Sequence, residues 1–192
     1  MQSAEKAPKE RDFSVLQVPI AWKKMATPPL NLPACELRTT VQDGMTKVFD
    51  VLRQRYVALT PEEWVRQHFV HFLIGEKGFS QALMGNEVQL TLNGMSRRCD
   101  TVVYDRQLRP RMIVEYKRPD VSITQKVFDQ IGRYNMVMRV DWLIVSNGLE
   151  HYCCRMDYEQ QTYAFVREIP TFEEVVGEKP EDASTNKCEK LP

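Results

Sequence analysis

The chain has 192 residues, of which 43% are hydrophobic and 27% are charged. This composition is typical of a single globular domain that buries a substantial core. Basic and acidic residues number 26 each, so the formal net charge is zero and no global charge field points to nucleic acid. No run is long and apolar enough to span a bilayer and no secretion signal opens the chain, which predicts a cytoplasmic protein with no membrane partner.

Charge is unevenly distributed along the chain. Residues 97–139 carry ten Lys and Arg against five Asp and Glu, whereas residues 157–192 carry four against nine. A basic middle beside an acidic end suits a polyanion-binding face, although exposed strands and loops also carry charge in proteins that bind no polyanion. The five cysteines have no spacing typical of a zinc site, and we expect free thiols in a reducing compartment.

The part of the chain before residue 60 is predicted to be a β-rich accessory segment that follows a disordered N-terminus. Residues 1–12 are polar and are expected to be disordered. Within residues 13–59, Asp43-Gly44 is a hairpin signal between two extended runs. Strands are expected at 13–20, 35–41, 46–51 and 56–59, of which the last three form a β-meander.

A helix is predicted to begin at Pro61. Thr60 can act as its N-cap, and Glu63 stands at the third helical position, where a capping box places its acidic residue. Apolar residues then recur at helical spacing until Gly75 and Gly78 end the helix.

From residue 87 onward, strands and one further helix follow one another. Asn93-Gly94 predicts a two-residue hairpin loop between the first two strands. Thr124 is expected to cap the helix, which runs to about residue 139. The strands are predicted at 87–92, 98–104, 111–117, 141–147, 149–156 and 162–166.

The order of these elements predicts the fold class. It indicates an α/β (α+β) fold in which helices flank a mixed central β-sheet. The strand at 111–117, the helix after it and the strand at 141–147 form a crossover connection. We take residues 60–170 as the core domain, and residues 171–192, which are polar and acidic, as a flexible tail.

Two carboxylates and a lysine fall near the ends of predicted neighbouring strands. Asp100 opens one apolar run, and Glu115 and Lys117 follow another at 112–114. Because side chains alternate along a strand, Glu115 and Lys117 project to the same face. Two converging carboxylates can hold Mg²⁺, and the lysine can orient the attacking water or stabilise charge on a phosphate.

The spacing of these three residues alone is a weak signal. The pattern occurs by chance, and surface strands commonly carry charged pairs. Their position at the ends of buried strands is more informative, because a charge there is costly unless it is paired or bound to a metal. The sequence therefore predicts a metal site here, with a surface ion pair as the alternative interpretation.

Further motifs extend this pattern along the chain. They are PEEWVRQHFVHFLI (61–74), RCDTVVYD (98–105), IVEYKRPD (113–120), QIGRYN (130–135) and WLIVSNG (142–148). On these motifs the chain resembles the PD-(D/E)xK nuclease superfamily. It is more closely similar to the N-terminal nuclease domain of type I restriction enzyme R (HsdR) subunits, in the form found as small stand-alone bacterial proteins. The resemblance covers about residues 60–155 and implies a restriction-endonuclease-like core.

The resemblance implies roles for individual residues. Asp100 and Glu115 match the metal-binding acidic pair, and Lys117 matches the catalytic lysine. A glutamate on the first helix often completes the metal shell in this superfamily. Glu62 and Glu63 compete for that role, and the sequence does not decide between them, because Glu63 also fits a capping box.

The resemblance also assigns supporting residues. Gln130 and Tyr134 match a QxxxY motif, and with this spacing they share one helix face, towards the site or the DNA backbone. A helix-core aromatic is the alternative for Tyr134. Five basic residues are expected to contact DNA phosphates, with solvated surface charge as the alternative: Arg66, Arg98, Arg118, Lys126 and Arg133.

The predicted function is a Mg²⁺-dependent (or Mn²⁺-dependent) DNA endonuclease, acting as a homodimer or with other restriction–modification components. A Walker motif is absent from the sequence, so we expect neither ATP as a partner nor the ATP-driven motor of type I R subunits. The main alternative is a catalytically silent nucleic-acid-binding or regulatory module on the same fold. A protein–protein adaptor is a weaker one.

Overall fold

The computed structural model describes residues 28–92 and 94–177, which form two β-sheets and three α-helices. The predicted disordered N-terminus and the strand predicted at 13–20 lie outside these residues. Within them, no helix is long and apolar enough to cross a membrane.

The smaller sheet is the β-meander that the sequence predicts. It contains β1 (Thr39–Gln42), β2 (Met45–Asp50) and β3 (Arg55–Ala58), paired antiparallel in that order. Asp43 and Gly44 join β1 to β2 with φ angles of 53° and 71°. Two successive positive φ angles are typical of the type I′ turn, whose twist matches that of the flanking strands.

Helix α1 spans Pro61–Gly75 and begins as predicted, but without a complete capping box. The Thr60 side chain accepts a hydrogen bond from the Glu63 backbone N–H at 3.0 Å. The Glu63 carboxylate does not return the contact, because it instead accepts hydrogen bonds from Arg53, Arg66 and Gln67. The prediction of a capping box at this helix is therefore wrong, while that of the Thr60 cap is confirmed.

The larger sheet has six strands in sequence order, and it confirms the predicted mixed central sheet of an α+β fold. All neighbours are antiparallel except β6 and β7, which are parallel and are connected by helix α2 (Gln125–Met138). The strands are β4 (Met84–Leu92), β5 (Met95–Tyr104), β6 (Pro110–Tyr116), β7 (Trp142–Ser146), β8 (His151–Asp157) and β9 (Thr162–Val166).

Strand β5 begins earlier than the sequence predicts. Leu92 pairs with Met95, which leaves the predicted two-residue loop between β4 and β5, although Asn93 itself lies outside the described residues. Asp100 consequently lies in the middle of β5, and the prediction that it stands near the end of the strand is wrong. Its side chain therefore has neighbours on both adjacent strands.

Helices cover both faces of the larger sheet. On one face, apolar residues of α1 and of a third helix, α3 (Phe172–Val176), pack against Met112, Val114 and Tyr116 of β6. On the other face, α2 packs against Ile113. The alternation along β6 thus places the side chain of Glu115, two residues after Ile113, on the α2 face.

Helix α3 corrects the predicted extent of the flexible tail. Thr171 and Glu174 form a complete capping box at its start. Phe172 and Val175 are buried in the core, with Phe172 packed edge-to-face against Phe79 at 5.6 Å between ring centroids. The chain is therefore part of the folded domain up to Gly177, and residues 178–192 of the predicted tail lie outside the described residues.

The burial of α3 predicts a large effect of one substitution. Phe172 is 6% exposed, so Phe172→Ala should lower the free energy of unfolding by about 3 kcal/mol, as measured by urea denaturation. Phe165 is 57% exposed, and Phe165→Ala should cost about 1 kcal/mol or less. Equal effects of the two substitutions would mean that α3 does not stabilise the domain.

Candidate active site

Asp100 links the strands β5 and β6 through its carboxylate. Oδ2 accepts a hydrogen bond from the backbone N–H of Tyr116, at the end of β6, at 2.8 Å. Oδ1 accepts one from Nη2 of Arg66, on α1, at 2.8 Å. Both oxygens are therefore held, and the carboxylate has one orientation between the sheet and α1.

Glu115 lies at the centre of a second set of contacts on the α2 side of the sheet. Lys117 Nζ donates to Glu115 Oε1 at 2.7 Å, and Gln130 Nε2 donates to the same oxygen at 2.5 Å. Gln130 also donates to the hydroxyl of Tyr134 at 3.2 Å. The residues that the sequence selected on β6 and α2 thus lie in one cluster.

Burial and neighbouring charges shift the protonation of this cluster. Burial, together with the negative charge of Asp100, raises the pKa of Glu115 to about 7. Burial also raises the pKa of Asp100, and the positive charge of Arg66 opposes that shift. Burial alone would lower the pKa of Lys117, but the hydrogen bond and charge of Glu115 outweigh it and raise that pKa. The lysine therefore stays charged beside a carboxyl group that titrates near neutral pH.

The two glutamates at the start of α1 have different surroundings. The Glu62 side chain is 41% exposed, and its Oε1 lies 3.8 Å from Arg66 Nη2, the nitrogen that also contacts Asp100. Burial and the charge of Asp100 raise the pKa of Glu62. The Glu63 side chain is 7% exposed and is held between Arg53, at 2.8 Å, and Arg66, at 2.7 Å. Glu62 thus faces the site, and Glu63 belongs to the contact between α1 and the smaller sheet.

Arg66 does not lie where the sequence prediction put it. Its side chain is 4% exposed and forms ion pairs with Glu63, Glu87 and Asp100 at 2.7–2.9 Å. Burial opposes a charge on this guanidinium, but the negative charges of Asp100 and Glu63 outweigh it and raise the pKa of Arg66. Arg66 is therefore a buried ion-pair residue, and the expectation that it contacts DNA phosphates from the surface is corrected.

Glu87 is a residue of this cluster that the sequence prediction missed. The pairs on either side of it in β4 and β5 place it opposite Asp100. Its backbone is left-handed, with a φ of 57°. Its carboxylate forms an ion pair with Arg66 at 2.9 Å and accepts a hydrogen bond from Arg98 at 3.0 Å. A non-glycine residue with positive φ inside a strand is uncommon and often marks a functional site. The sequence indicated Glu87 only as the first residue of an alternating strand at 87–92.

The other basic candidates lie on the surface. Arg98 is paired with Glu87, and Arg118 with Asp120, while Lys126 and Arg133 are exposed on α2. Arg98 and Arg118 flank the sequence positions of Asp100 and Lys117, so basic side chains are available near the cluster. Among residues 28–92 and 94–177, no three His, Cys, Asp or Glu side chains are grouped so that they could hold a metal ion.

The raised pKa of Glu115 predicts how stability depends on pH without divalent cations. Its folded-state pKa of about 7 exceeds the ordinary 4.5, so the stabilisation is complete below about pH 4.5 and is lost as the pH rises through 7. Relative to Glu115→Gln, the wild type should lose on the order of 3 kcal/mol of unfolding free energy between about pH 5 and pH 8. Chemical denaturation across this range measures it, and parallel profiles for the two proteins would contradict it.

Comparisons with known proteins agree with the family that the motifs indicate. Residues 61–170 match the family model described as type I restriction enzyme R protein N terminus. A solved fragment assigned as an HsdR subunit of a type I restriction enzyme from Vibrio vulnificus YJ016 is similar, with 19% identity and a TM-score of 0.47. That match covers 61% of this chain but 24% of the other, so the chain spans about a quarter of that structure. No curated protein matches the chain. Since the family model covers more than half of its residues, the chain belongs to the type I restriction enzyme R protein N-terminal family.

Proposed function

We propose that this chain is a divalent-cation-dependent endonuclease of the PD-(D/E)xK type that hydrolyses phosphodiester bonds in DNA. The observation that carries the proposal is the cluster in which Asp100 of β5 and Glu115 of β6 lie near Lys117, whose Nζ is 2.7 Å from Glu115 Oε1. Membership of a restriction-enzyme family supports a nuclease fold and DNA as the substrate.

Asp100 and Glu115 are the residues that would hold Mg²⁺ or Mn²⁺. Mg²⁺ in proteins is commonly bound by only one or two carboxylates, with water and substrate phosphate completing its shell, so two carboxylates are enough. Burial and, after it, the negative charge of Asp100 raise the pKa of Glu115, and a divalent cation would relieve the repulsion between the two carboxylates. A bound ion of this kind polarises a phosphate and lowers the pKa of a coordinated water. Glu62 is the candidate for a third carboxylate, and its partly exposed side chain would have to move towards the ion, because no three such side chains are grouped for a metal among the described residues.

Lys117 supplies a positive charge where negative charge develops during hydrolysis. Its raised pKa keeps the ammonium charged at neutral pH. Beside a phosphate it would orient the attacking water or stabilise the pentavalent transition state. Gln130 fixes the Glu115 carboxylate through a 2.5 Å hydrogen bond, and Tyr134 in turn fixes Gln130.

Exposed cations near the cluster would bind the DNA backbone. Phosphate contacts of this kind position the duplex and carry no sequence information. The candidates are Arg98, Arg118, Lys126 and Arg133. We also propose that the chain acts together with other components of a restriction–modification complex.

One observation favours a second candidate function, a nucleic-acid-binding module without catalysis. Both acidic residues are paired with internal cations, Asp100 with Arg66 at 2.8 Å and Glu115 with Lys117 at 2.7 Å. A site neutralised in this way needs no metal to be stable. Such a module would bind DNA equally well in EDTA and in Mg²⁺ and would not cleave it.

The nuclease proposal predicts the effects of two substitutions on DNA cleavage in Mg²⁺ or Mn²⁺. Asp100→Asn should abolish cleavage, because it removes a carboxylate that would hold the cation. Lys117→Ala should reduce cleavage by about 100- to 1,000-fold, because it removes a positive charge that stabilises the transition state. Asp141→Asn is the control, since Asp141 also pairs with an arginine, Arg111, at 2.8 Å outside the site. Cleavage that persists in both site variants would come from a contaminant, and the assignment would fail.

Glu62 and Glu63 should respond differently to substitution. Glu62→Ala should raise the Mg²⁺ concentration needed for half-maximal cleavage and leave the unfolding free energy nearly unchanged, because this side chain is partly exposed. Glu63→Ala should lower the unfolding free energy by about 3–5 kcal/mol, because it leaves buried arginines without their partner. The reverse pattern would assign the metal shell to Glu63.

A further inference from the structure

A continuous line of polar contacts connects the smaller sheet to the candidate site. It begins at Asp50 in β2, whose carboxylate is paired with Arg53 in the loop that follows. Arg53 Nη2 donates to Glu63 Oε1 at 2.8 Å, and Glu63 Oε2 accepts from Arg66 Nη1 at 2.7 Å. Arg66 Nη2 then donates to Asp100 Oδ1 at 2.8 Å. The meander therefore reaches Asp100 through alternating charges.

These contacts lie inside the protein. Asp50 has no exposed surface, and the side chains of Glu63 and Arg66 are almost fully buried. A buried charge is tolerated only when it is paired and hydrogen-bonded. Each member thus depends on its neighbours for compensation, and the geometry at one end constrains the geometry at the other.

Arg66 uses the shape of its guanidinium group in this arrangement. Nη1 holds Glu63, while Nη2 lies between Asp100, at 2.8 Å, and Glu87, at 2.9 Å. A planar group with several donors in fixed directions can hold three carboxylates at once, which the single ammonium group of lysine cannot. Because Asp100 Oδ2 is bound to the Tyr116 N–H, the contact from Arg66 completes the orientation of that carboxylate.

We propose that Arg66 is a positioning residue of the candidate site: it holds Asp100 in its metal-binding orientation. Arg66 is itself held by Glu63, and Glu63 by Arg53. The N-terminal β-meander is therefore part of the support of the site. This inference rests on the proposed function, since it assigns to Asp100 a role in cation binding. Arg66 acts through Asp100 and does not touch DNA, because its side chain is 4% exposed. Groups that support metal ligands in this way typically change metal affinity or activity by about 10- to 100-fold when they are mutated.

The first test is Mn²⁺ binding by the 192-residue chain, measured by isothermal titration calorimetry without DNA. Arg66→Lys keeps the charge and removes the planar group, so it should weaken Mn²⁺ binding by about 10- to 100-fold. In cleavage assays kcat should fall, while KM for DNA should change by less than about threefold, because Arg66 does not contact the substrate.

The matched control is Arg111→Lys. Arg111 lies near the start of β6, whereas Glu115 lies near its end, and it pairs with Asp141 at 2.8 Å. This variant loosens an arginine–aspartate pair on the same sheet without touching the site. Its Mn²⁺ affinity should stay within about twofold of the wild type, even if its thermal stability falls as much as that of Arg66→Lys.

A second pair of variants tests the contribution of the meander. Arg53→Lys leaves one ammonium group to serve both Asp50 and Glu63, so Arg66 loses part of its support and Mn²⁺ binding should weaken by about threefold or more. Arg55→Lys, on the exposed surface of β3, should leave it unchanged. If Arg66→Lys does not fold, the Mn²⁺ affinities of Arg53→Lys and Arg55→Lys are compared instead, and equal affinities would overturn the positioning role.

The outcomes separate this inference from the proposed function. Weaker Mn²⁺ binding in Arg66→Lys and Arg53→Lys, with both controls unchanged, supports the positioning role. A wild type that binds Mn²⁺ and cleaves DNA, with Arg66→Lys indistinguishable from Arg111→Lys, overturns the positioning role and leaves the nuclease intact. A wild type that neither binds Mn²⁺ nor cleaves DNA overturns both.

Discussion

A guanidinium group held among carboxylates from three elements is the interaction around which the candidate site is arranged. Arg66 of α1 meets Glu87 of β4 and Asp100 of β5, two acidic residues that face each other across neighbouring strands. Like charges in that position repel each other. The positive charge of Arg66 offsets this repulsion, and its ion pairs with both carboxylates attach α1 to the sheet. Buried ion pairs add little net stability, since desolvation offsets their attraction. Their effect here is on geometry, because the carboxylates are held in fixed directions.

Strand β6 contributes residues both to the hydrophobic core and to the candidate site. Tyr116 faces the core formed with α1 and α3, while Ile113 packs against α2 and Glu115 lies two residues further along the same face. The residues of the site that could be predicted from the sequence follow from this alternation and from helical spacing. Glu115 and Lys117 are two apart on an extended chain, and Gln130 contacts Glu115 because α2 returns the chain along the sheet. Strand alternation was sufficient to place Glu115 and Lys117 on one face, whereas Gln130 was selected by the family motif and its contact with Glu115 is seen only in the fold.

The features that the sequence could not predict arise from contacts between distant residues. The Asp43-Gly44 turn and the Thr60 cap depend on immediate neighbours and were predictable. Arg66 was interpreted as a surface cation because its partner Asp100 is 34 positions away, and only the fold reveals that contact. The left-handed backbone of Glu87 could not be predicted, because glutamate is not a residue type that favours a positive φ angle. Helix α3 was missed because its short segment was grouped with the polar and acidic residues that follow it, whereas the burial of Phe172 and Val175 makes it part of the core.

One of the two groups that align Asp100 belongs to the main chain. The N–H of Tyr116 donates to Oδ2, and every amino acid except proline carries that donor. The side chain at position 116 can therefore differ between related sequences, as packing requires, and the hydrogen bond to Asp100 is kept. One of the two contacts that orient this carboxylate therefore cannot be detected by comparing residue types between sequences. Arg66 contacts Asp100 through its side chain, so substitution there removes the contact, whereas substitution of Tyr116 keeps the amide on the other side.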